Sequence, residues 1–71
     1  MDNSIKNMID YLKNKSPQER MWERIHLVDK INALLILPNL INMQEAKECF
    51  DRLYLLVQAE EALRSQYQKI E

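Results

Sequence analysis

Glycine is absent from this chain of 71 residues, and only two prolines and one cysteine are present. Tight turns between antiparallel strands usually need glycine, so its absence argues against a fold with many strands. With Cys49 alone, no disulfide forms within one chain, and no cysteine–histidine spacing resembles a zinc site. A chain this short buries only about 60% of its unfolded surface, so we expect it to gain stability by self-association.

Long apolar runs and a surplus of either charge are missing as well. Residues 33–37 form an uninterrupted apolar run, far shorter than the roughly 18 residues that a membrane span needs. The amino-terminal residues lack the basic, apolar and small-residue regions of a signal peptide, so we expect a cytoplasmic protein with no membrane partner. The net charge is −1, whereas a nucleic-acid-binding protein usually carries a basic surplus on one face.

The abundant residues, among them leucine, isoleucine, glutamate and lysine, are typical of helices. Near the amino terminus, apolar residues recur at the i, i+3, i+4, i+7 spacing of one helix face, which predicts a short amphipathic helix over about 4–14. These residues are Ile5, Met8, Ile9 and Leu12. Asn14 is expected to end the helix in the left-handed conformation. Three turns are marginal alone in water, so this helix must pack on the rest of the chain.

The segment that follows carries the most specific local signal in the sequence. Ser16 and Glu19 have the spacing of a capping box, and Pro17 suits the first helical position. A second helix is therefore predicted over about 17–37. It ends there because Pro38 disfavours helical geometry in the preceding residue and has no amide to donate.

Helix 2 is apolar on most of its circumference, so we expect it to be the central helix. One stripe, expected to be core, contains Met21, Ile25, Val28 and Leu35. A second stripe contains Leu27, Ile31 and Leu34, with Trp22 and Ile36 on the other flank. The expected solvent face contains Glu19, Glu23, His26 and Lys30. We expect helix 1 and helix 3 to cover the first half, and the last two turns to have only the hairpin partner and the loop.

Asn42 and Glu45 repeat the capping logic after a short loop, which predicts a third helix over about 43–70, antiparallel to helix 2. Its residues follow a 3.5-residue heptad spacing of the coiled-coil kind, which we interpret as an oligomer seam. The seam contains Cys49, Leu53, Leu56, Glu60, Leu63, Tyr67 and Ile70. The predicted fold is all-α: a short helix on a long antiparallel helical hairpin, dimerising into a helical bundle.

Glu60 is the one charge inside that seam. In an antiparallel hairpin it lies near Arg20 or Arg24 of helix 2, so an ion pair is expected. Two interpretations stay open at this point. The pair is either an edge interaction of small energy or a partly buried charge that fixes register or oligomeric state.

Catalytic and metal-binding patterns are weak. Glu23 and His26 form a Glu-x-x-His pair, which di-iron bundles use in their interior together with glutamates from other helices. Both are expected on the solvent side of helix 2, where they would not converge on a metal. Cys49 and Ser65 lie on another helix, and no third group orients His26. We therefore expect no catalytic residue, no cofactor and no metal, and hence no enzyme.

The apolar surplus is the strongest functional candidate, because contiguous exposed apolar area marks a protein interface. The predicted partner-binding residues are Trp22, Leu27, Leu34, Ile36, Leu37, Leu40, Ile41 and Leu55. A second copy and a different protein are equally compatible occupants. The architecture resembles that of small bacterial or phage helical adaptors, regulators and cochaperones. We predict a non-enzymatic protein-binding module that acts as a stoichiometric regulator, inhibitor or cochaperone.

The alternative is a small transcription regulator that contacts DNA near the first turn between helices. The residues that would make phosphate contacts are Lys13, Lys15, Arg20 and Arg24. Asp10, Glu19 and Glu23 are interleaved with them, so the local charge is about neutral. The helix after the turn is also apolar where base-reading side chains are needed, so nucleic acid is the less favoured partner.

Overall fold

A computed structural model describes residues 3–68 and folds them into three α-helices. They are α1 (Asn3–Lys13), α2 (Pro17–Leu35) and α3 (Leu40–Gln68). A connection of four residues joins α2 to α3. Arg24 of α2 contacts Glu60 of α3, so these two helices form an antiparallel hairpin. The predicted all-α fold, a short helix beside a long hairpin, is confirmed. Within residues 3–68, no helix is both long and apolar enough to cross a membrane.

The start of α2 follows the predicted capping box. Ser16 is extended, with φ −70° and ψ 160°, and its hydroxyl accepts a hydrogen bond from the Glu19 amide at 3.1 Å. The Ser16 amide in turn donates to Glu19 Oε1 at 2.9 Å. Pro17 occupies the first turn, where its missing amide costs no hydrogen bond. The hydrogen bonds from Ser16, with its backbone amide first, hold the pKa of the Glu19 carboxyl below its ordinary value.

The connection between α2 and α3 is shorter than the predicted loop. Asn39, rather than Asn42, caps α3, because its Oδ1 accepts from the Asn42 amide at 2.8 Å. Asn42 Nδ2 donates back to the Leu37 carbonyl at 2.9 Å, which fixes the turn. α3 therefore begins at Leu40 instead of 43, and α2 ends at Leu35. The predicted end of helix 3 near residue 70 lies outside the described residues, as do Ile70 and the side chain of Tyr67.

Asn14 ends α1 without the predicted left-handed conformation. Across residues 3–68, no residue has a positive φ. Instead, Asn14 Nδ2 donates to the Asp10 carbonyl at 3.2 Å, and the Lys15 amide donates to the Leu12 carbonyl at 3.0 Å. Two carbonyls of the last turn are satisfied in this way.

The central helix is α3, so the prediction that helix 2 is central was wrong. α3 contacts both other helices, and its 29 residues extend about 43 Å, enough to reach both. The buried apolar side chains come from α1 and α3 alone within the described chain: Met8, Leu12, Ala46, Leu56, Ala59 and Leu63. α2 contributes no buried residue. α2 has two apolar stripes that could each pack against another helix, and α3 packs against only one of them.

α1 lies on α3, with Met8 and Leu12 packed beside Ala59. Two polar contacts also tie α1 to α2. Tyr11 Oη donates to Glu23 Oε1 at 2.5 Å, and Arg20 Nε donates to the Leu12 carbonyl at 3.1 Å. Glu23 is therefore half-buried beside Tyr11, which corrects its predicted place on the solvent face.

The folded chain is a thin slab with extents of 48 × 29 × 17 Å. Its radius of gyration is 14.1 Å, whereas a compact domain of this length has about 11 Å. The accessible surface is 5724 Å², whereas a compact monomer of 8.6 kDa exposes about 4,700 Å². About 1,000 Å² of surface per chain is thus in excess of what the length requires.

Candidate functional site

The end of the hairpin carries four exposed aliphatic side chains, which we call the hairpin tip. They are Ile36, Leu37, Leu40 and Ile41, with exposed fractions of 82, 68, 86 and 77%. No charged residue lies between Lys30 and Glu45, so the tip and the helix turns on either side of it are uncharged. Four predicted partner-binding residues are thus brought together at one end of the molecule.

Local sequence explains why the tip is both ordered and exposed. Pro38 cannot donate into α2, and Asn39 caps α3, so the turn is confined to a few residues. Asn42 Nδ2 holds the Leu37 carbonyl across the turn. α1 lies against α3, where it buries Leu63 and Ala59, and the described part of the chain provides no side chain to cover the tip.

A second exposed apolar surface follows one side of the hairpin, and we call it the hairpin face. It contains Met21, Ile25, Val28 and Leu35 of α2 with Met43, Phe50, Tyr54 and Val57 of α3. Their exposed fractions range from 39 to 59%. The α2 members are the stripe that was predicted to be core, and this prediction was wrong. α3 packs on the other stripe, that of Leu27, Ile31 and Leu34, which is half-buried.

The two sides of the hairpin differ in what covers them. On one side, Tyr11 of α1 and Lys15 of the following turn lie beside Glu23 and Leu55. On the other side, an open groove of about 280 Å³ contains Arg24, Val57 and Glu61 among its lining residues, and no α1 residue lines it. Helical spacing places the hairpin face on this second side, so the face lies opposite α1.

Sequence reasoning missed the hairpin face, although α3 carries its signal. Its members on α3 belong to a heptad stripe with alternating spacings of four and three residues. The stripe is Met43, Lys47, Phe50, Tyr54, Val57, Glu61 and Arg64. Phe50 and Tyr54 lie next to each other on it, with ring centroids 6.4 Å apart and planes inclined by 36°. α3 therefore has two heptad stripes, one facing inward and one exposed.

The predicted oligomer seam is the inward stripe. Leu56 and Leu63 are buried within one chain, so they present no surface to a second copy in this conformation, unlike the interpretation drawn from the sequence. Cys49, Leu53 and Glu60 are half-buried. The seam packs, at least in part, inside the monomer, because α1 and α2 both contact α3 along it.

Glu60 has the partner predicted for it. Arg24 Nη1 donates to Glu60 Oε2, while the other candidate, Arg20, binds the Leu12 carbonyl. The Glu60 side chain is mostly covered and that of Arg24 is about one-third exposed. The pair joins α2 to α3 within one chain and aligns the two helices of the hairpin.

The other predicted partner-binding residues are distributed over the fold. Trp22 is exposed and lines a groove of about 410 Å³ together with Lys15, His26 and Arg52. Three further residues are half-buried: Leu27, Leu34 and Leu55. Of these, Leu27 and Leu55 pack against the core. The structure thus separates Trp22, Leu27 and Leu55 from the hairpin tip, whereas Leu34 lies two residues before Ile36.

The basic residues near the first turn are largely engaged inside the fold. Lys15 Nζ lies 5.1 Å from the centre of the Tyr11 ring. Arg20 binds a backbone carbonyl, Arg24 pairs with Glu60, and Lys13 is exposed. A phosphate backbone needs several free cations on one face. The residues proposed for DNA contact supply few of them.

The arrangement offers apolar surfaces for binding. Among residues 3–68, no group of three or more His, Cys, Asp or Glu side chains is placed to hold a metal ion. Glu23 accepts a hydrogen bond from Tyr11, whereas His26 is exposed. What the geometry supports chemically is apolar contact at the tip and along the hairpin face. Comparisons with protein-family models, curated proteins and solved structures find no match for this chain.

Proposed function

We propose that this protein is a small non-enzymatic protein-binding module that inhibits, escorts or regulates another protein in a stoichiometric complex. The observation that carries the proposal is the hairpin tip, where Ile36, Leu37, Leu40 and Ile41 are each more than two-thirds exposed. Soluble monomers rarely leave such a contiguous aliphatic cluster uncovered unless it is a binding surface.

The chemistry of the tip indicates the kind of partner. The uncharged stretch from 31 to 44 contains no group whose charge must be desolvated on binding. An apolar, uncharged groove on a folded protein is the complementary surface, as in the recognition of a helix by a groove. The four side chains expose roughly 600 Å², somewhat less than the about 800 Å² that each partner of a standard interface buries.

The tip is also prepared for binding before a partner arrives. Asn39 and Asn42 hold the turn through hydrogen bonds of 2.8 and 2.9 Å. Little backbone freedom is therefore lost when the tip enters a groove, which favours affinity.

Photo-crosslinking followed by calorimetry tests this proposal. A photoreactive residue replaces Ile41 in one variant and Lys30, exposed on α2, in the matched control. In cells of the source organism, the variant at position 41 should form one dominant protein adduct that the control does not form. The purified partner should then bind the wild type with one-to-one stoichiometry.

The paired substitution Leu40→Gln with Ile41→Gln should weaken that complex by a factor of about 100 or more, because each buried aliphatic side chain contributes roughly 1.5–3 kcal/mol. Asp29→Gln with Lys30→Gln is the matched control and should bind like the wild type. Equal affinity of the tip variant, with unchanged helicity, overturns the proposal. The proposal is also overturned if the protein floats with neutral vesicles and captures no protein. DNA binding that weakens steeply from about 50 to 200 mM salt overturns it as well.

A further inference from the structure

We propose that a second copy of this chain covers the hairpin face, packed antiparallel to the first across a two-fold axis near Tyr54. This surface differs from the tip, so the inference does not rest on the proposed function. Its grounds are the area of the face, the small core of the monomer and the charges that flank the aromatic pair.

The area fits a dimer. With about 200 Å² for a large apolar side chain, the half-exposed residues of the hairpin face present roughly 800 Å² per copy. Each partner of a standard interface buries about the same area. The excess surface of about 1,000 Å² per chain is of the same order.

The small core of one chain favours self-association. α2 has no buried residue, and six apolar side chains form the buried set of the described chain. A domain this small usually needs a staple, and a single cysteine provides none within the chain. Covering Met21, Ile25 and Val28 would bury the second side of α2 and complete its packing.

Aromatic residues lie at the middle of the face. Phe50 and Tyr54 are more than half exposed and follow one another along α3. Because Arg24 contacts Glu60 in an antiparallel hairpin, Val28 lies level with Leu56, close to these rings. Aromatic side chains at the centre of an apolar patch are typical of the residues that dominate binding energy.

The charges select the direction of packing. Lys47 and Glu61 lie on the same exposed heptad stripe, each seven residues from Tyr54. An antiparallel arrangement centred on Tyr54 places Lys47 of each copy opposite Glu61 of the other, two turns from the axis on both sides. A parallel arrangement places Lys47 against Lys47 and Glu61 against Glu61, which repel.

Both side chains are available for such contacts. Lys47 has an exposed ammonium whose pairing with Asp51 is loose, at 3.7 Å, and Glu61 is exposed. The antiparallel arrangement also puts the two hairpin tips at opposite ends of the dimer. Each tip then remains accessible, so self-association and partner binding are compatible.

Sedimentation equilibrium of the full chain with charge-reversal variants tests the inference. The wild type should be a dimer at micromolar concentration. Lys47→Glu or Glu61→Lys alone should raise the dissociation constant about tenfold or more, because each creates two repulsive pairs. The double variant Lys47→Glu with Glu61→Lys should return to within about threefold of the wild type. Reversals away from the face, Lys30→Glu and Glu48→Lys, are the matched controls and should have no effect.

Tyr54→Glu tests the inference without changing Lys47 or Glu61. It places a carboxylate at the two-fold axis, where the two copies would meet. It should give a monomer whose circular dichroism shows nearly the helical content of the wild type. A wild type that remains monomeric at about 100 μM overturns the inference, as does a dimer that Tyr54→Glu leaves intact. A double charge reversal that fails to recover the dimer overturns the antiparallel arrangement. The tip pair Leu40→Gln with Ile41→Gln should dimerise like the wild type, so failure of the proposed function is seen separately.

Discussion

Tyr11 and Glu23 join α1 to α2 through a hydrogen bond of 2.5 Å between the phenol and a carboxylate oxygen. α1 packs mainly on α3, so this bond is one of few direct links between the first two helices. It also explains why Glu23 is half-buried, whereas Glu19 and Lys30 of the same helix are exposed. The hydrogen bond to Glu23 is the largest cause that raises the pKa of the Tyr11 hydroxyl above its ordinary value, followed by burial.

Replacing Tyr11 with Phe should lower the free energy of unfolding by about 1 kcal/mol near neutral pH, the typical net value of one such hydrogen bond. Since the folded-state pKa of Tyr11 is raised, its contribution is fully present below the unfolded value of 10.0 and is lost as the pH rises through the folded value. The difference in the free energy of unfolding between the wild type and Tyr11→Phe should therefore shrink in alkaline solution. Urea unfolding over a pH series measures it.

Glu23→Gln is the matched control, because it keeps an acceptor but removes the charge. Tyrosinate absorbance should show one tyrosine of the wild type titrating above the ordinary range, and Glu23→Gln should bring that titration down. If Glu23→Gln leaves the alkaline titration unchanged, the Tyr11–Glu23 bond does not persist in solution.

The helix start at Ser16 gives a second prediction. Ser16→Ala removes the hydroxyl acceptor of the Glu19 amide, so the chain should lose about 1 kcal/mol of stability, as other N-cap replacements do. The pKa of Glu19 should rise toward its ordinary value, which NMR titration of the carboxyl measures. Since the folded-state pKa of Glu19 is lowered, its contribution is present above 4.5 and is lost as the pH falls through the folded value.

The loss of stability caused by Ser16→Ala should accordingly diminish in acid. It should not vanish, because the Ser16 hydroxyl of the wild type still accepts a hydrogen bond from the Glu19 amide. Ser65→Ala replaces an exposed serine inside α3 and serves as the control. Equal thermal midpoints for the wild type and Ser16→Ala would show that the cap contributes nothing measurable.

Local chemistry made the helix count and the start of α2 predictable. The capping box needs only Ser16, Pro17 and Glu19, and its hydrogen bonds form within one turn. The antiparallel hairpin followed from a short uncharged connection, and the predicted register placed Glu60 near Arg20 or Arg24. Asn39 and Asn42 offer the same capping chemistry three residues apart, and the prediction that Asn42 caps α3 was wrong, because Asn39 does so.

The central helix was not predictable from amphipathicity alone. α2 has two apolar stripes, represented by Val28 and Leu27, and periodicity assigns both to a core without ranking them. α3 likewise has an inward stripe with Leu56 and an outward stripe with Tyr54. Which stripes meet depends on where α1 lies, and α1 is positioned by contacts such as Tyr11–Glu23 that are distant in sequence. The hairpin face is exposed because the stripes of Val28 and Tyr54 are the ones that do not pack within the chain.

The Arg24–Glu60 pair gives the third prediction. A double-mutant cycle with Arg24→Gln and Glu60→Gln should give a coupling free energy of about 0.5–1 kcal/mol, since Arg24 is partly exposed and solvent screens the pair. The exposed i, i+4 pair of Lys47 and Asp51 is the comparison, and its coupling should not exceed about 0.5 kcal/mol. Urea unfolding of each variant measures both values.

Glu60 lies on the inward stripe of α3 and not on the hairpin face, so its role in alignment should be confined to one chain. Glu60→Leu should leave the molar mass unchanged by light scattering, and any loss of stability should come from the unpaired Arg24 guanidinium. A changed molar mass would instead assign Glu60 the register-fixing role that partly buried charges have in coiled coils. The two outcomes separate a contact within the hairpin from one between copies, because only the second depends on protein concentration.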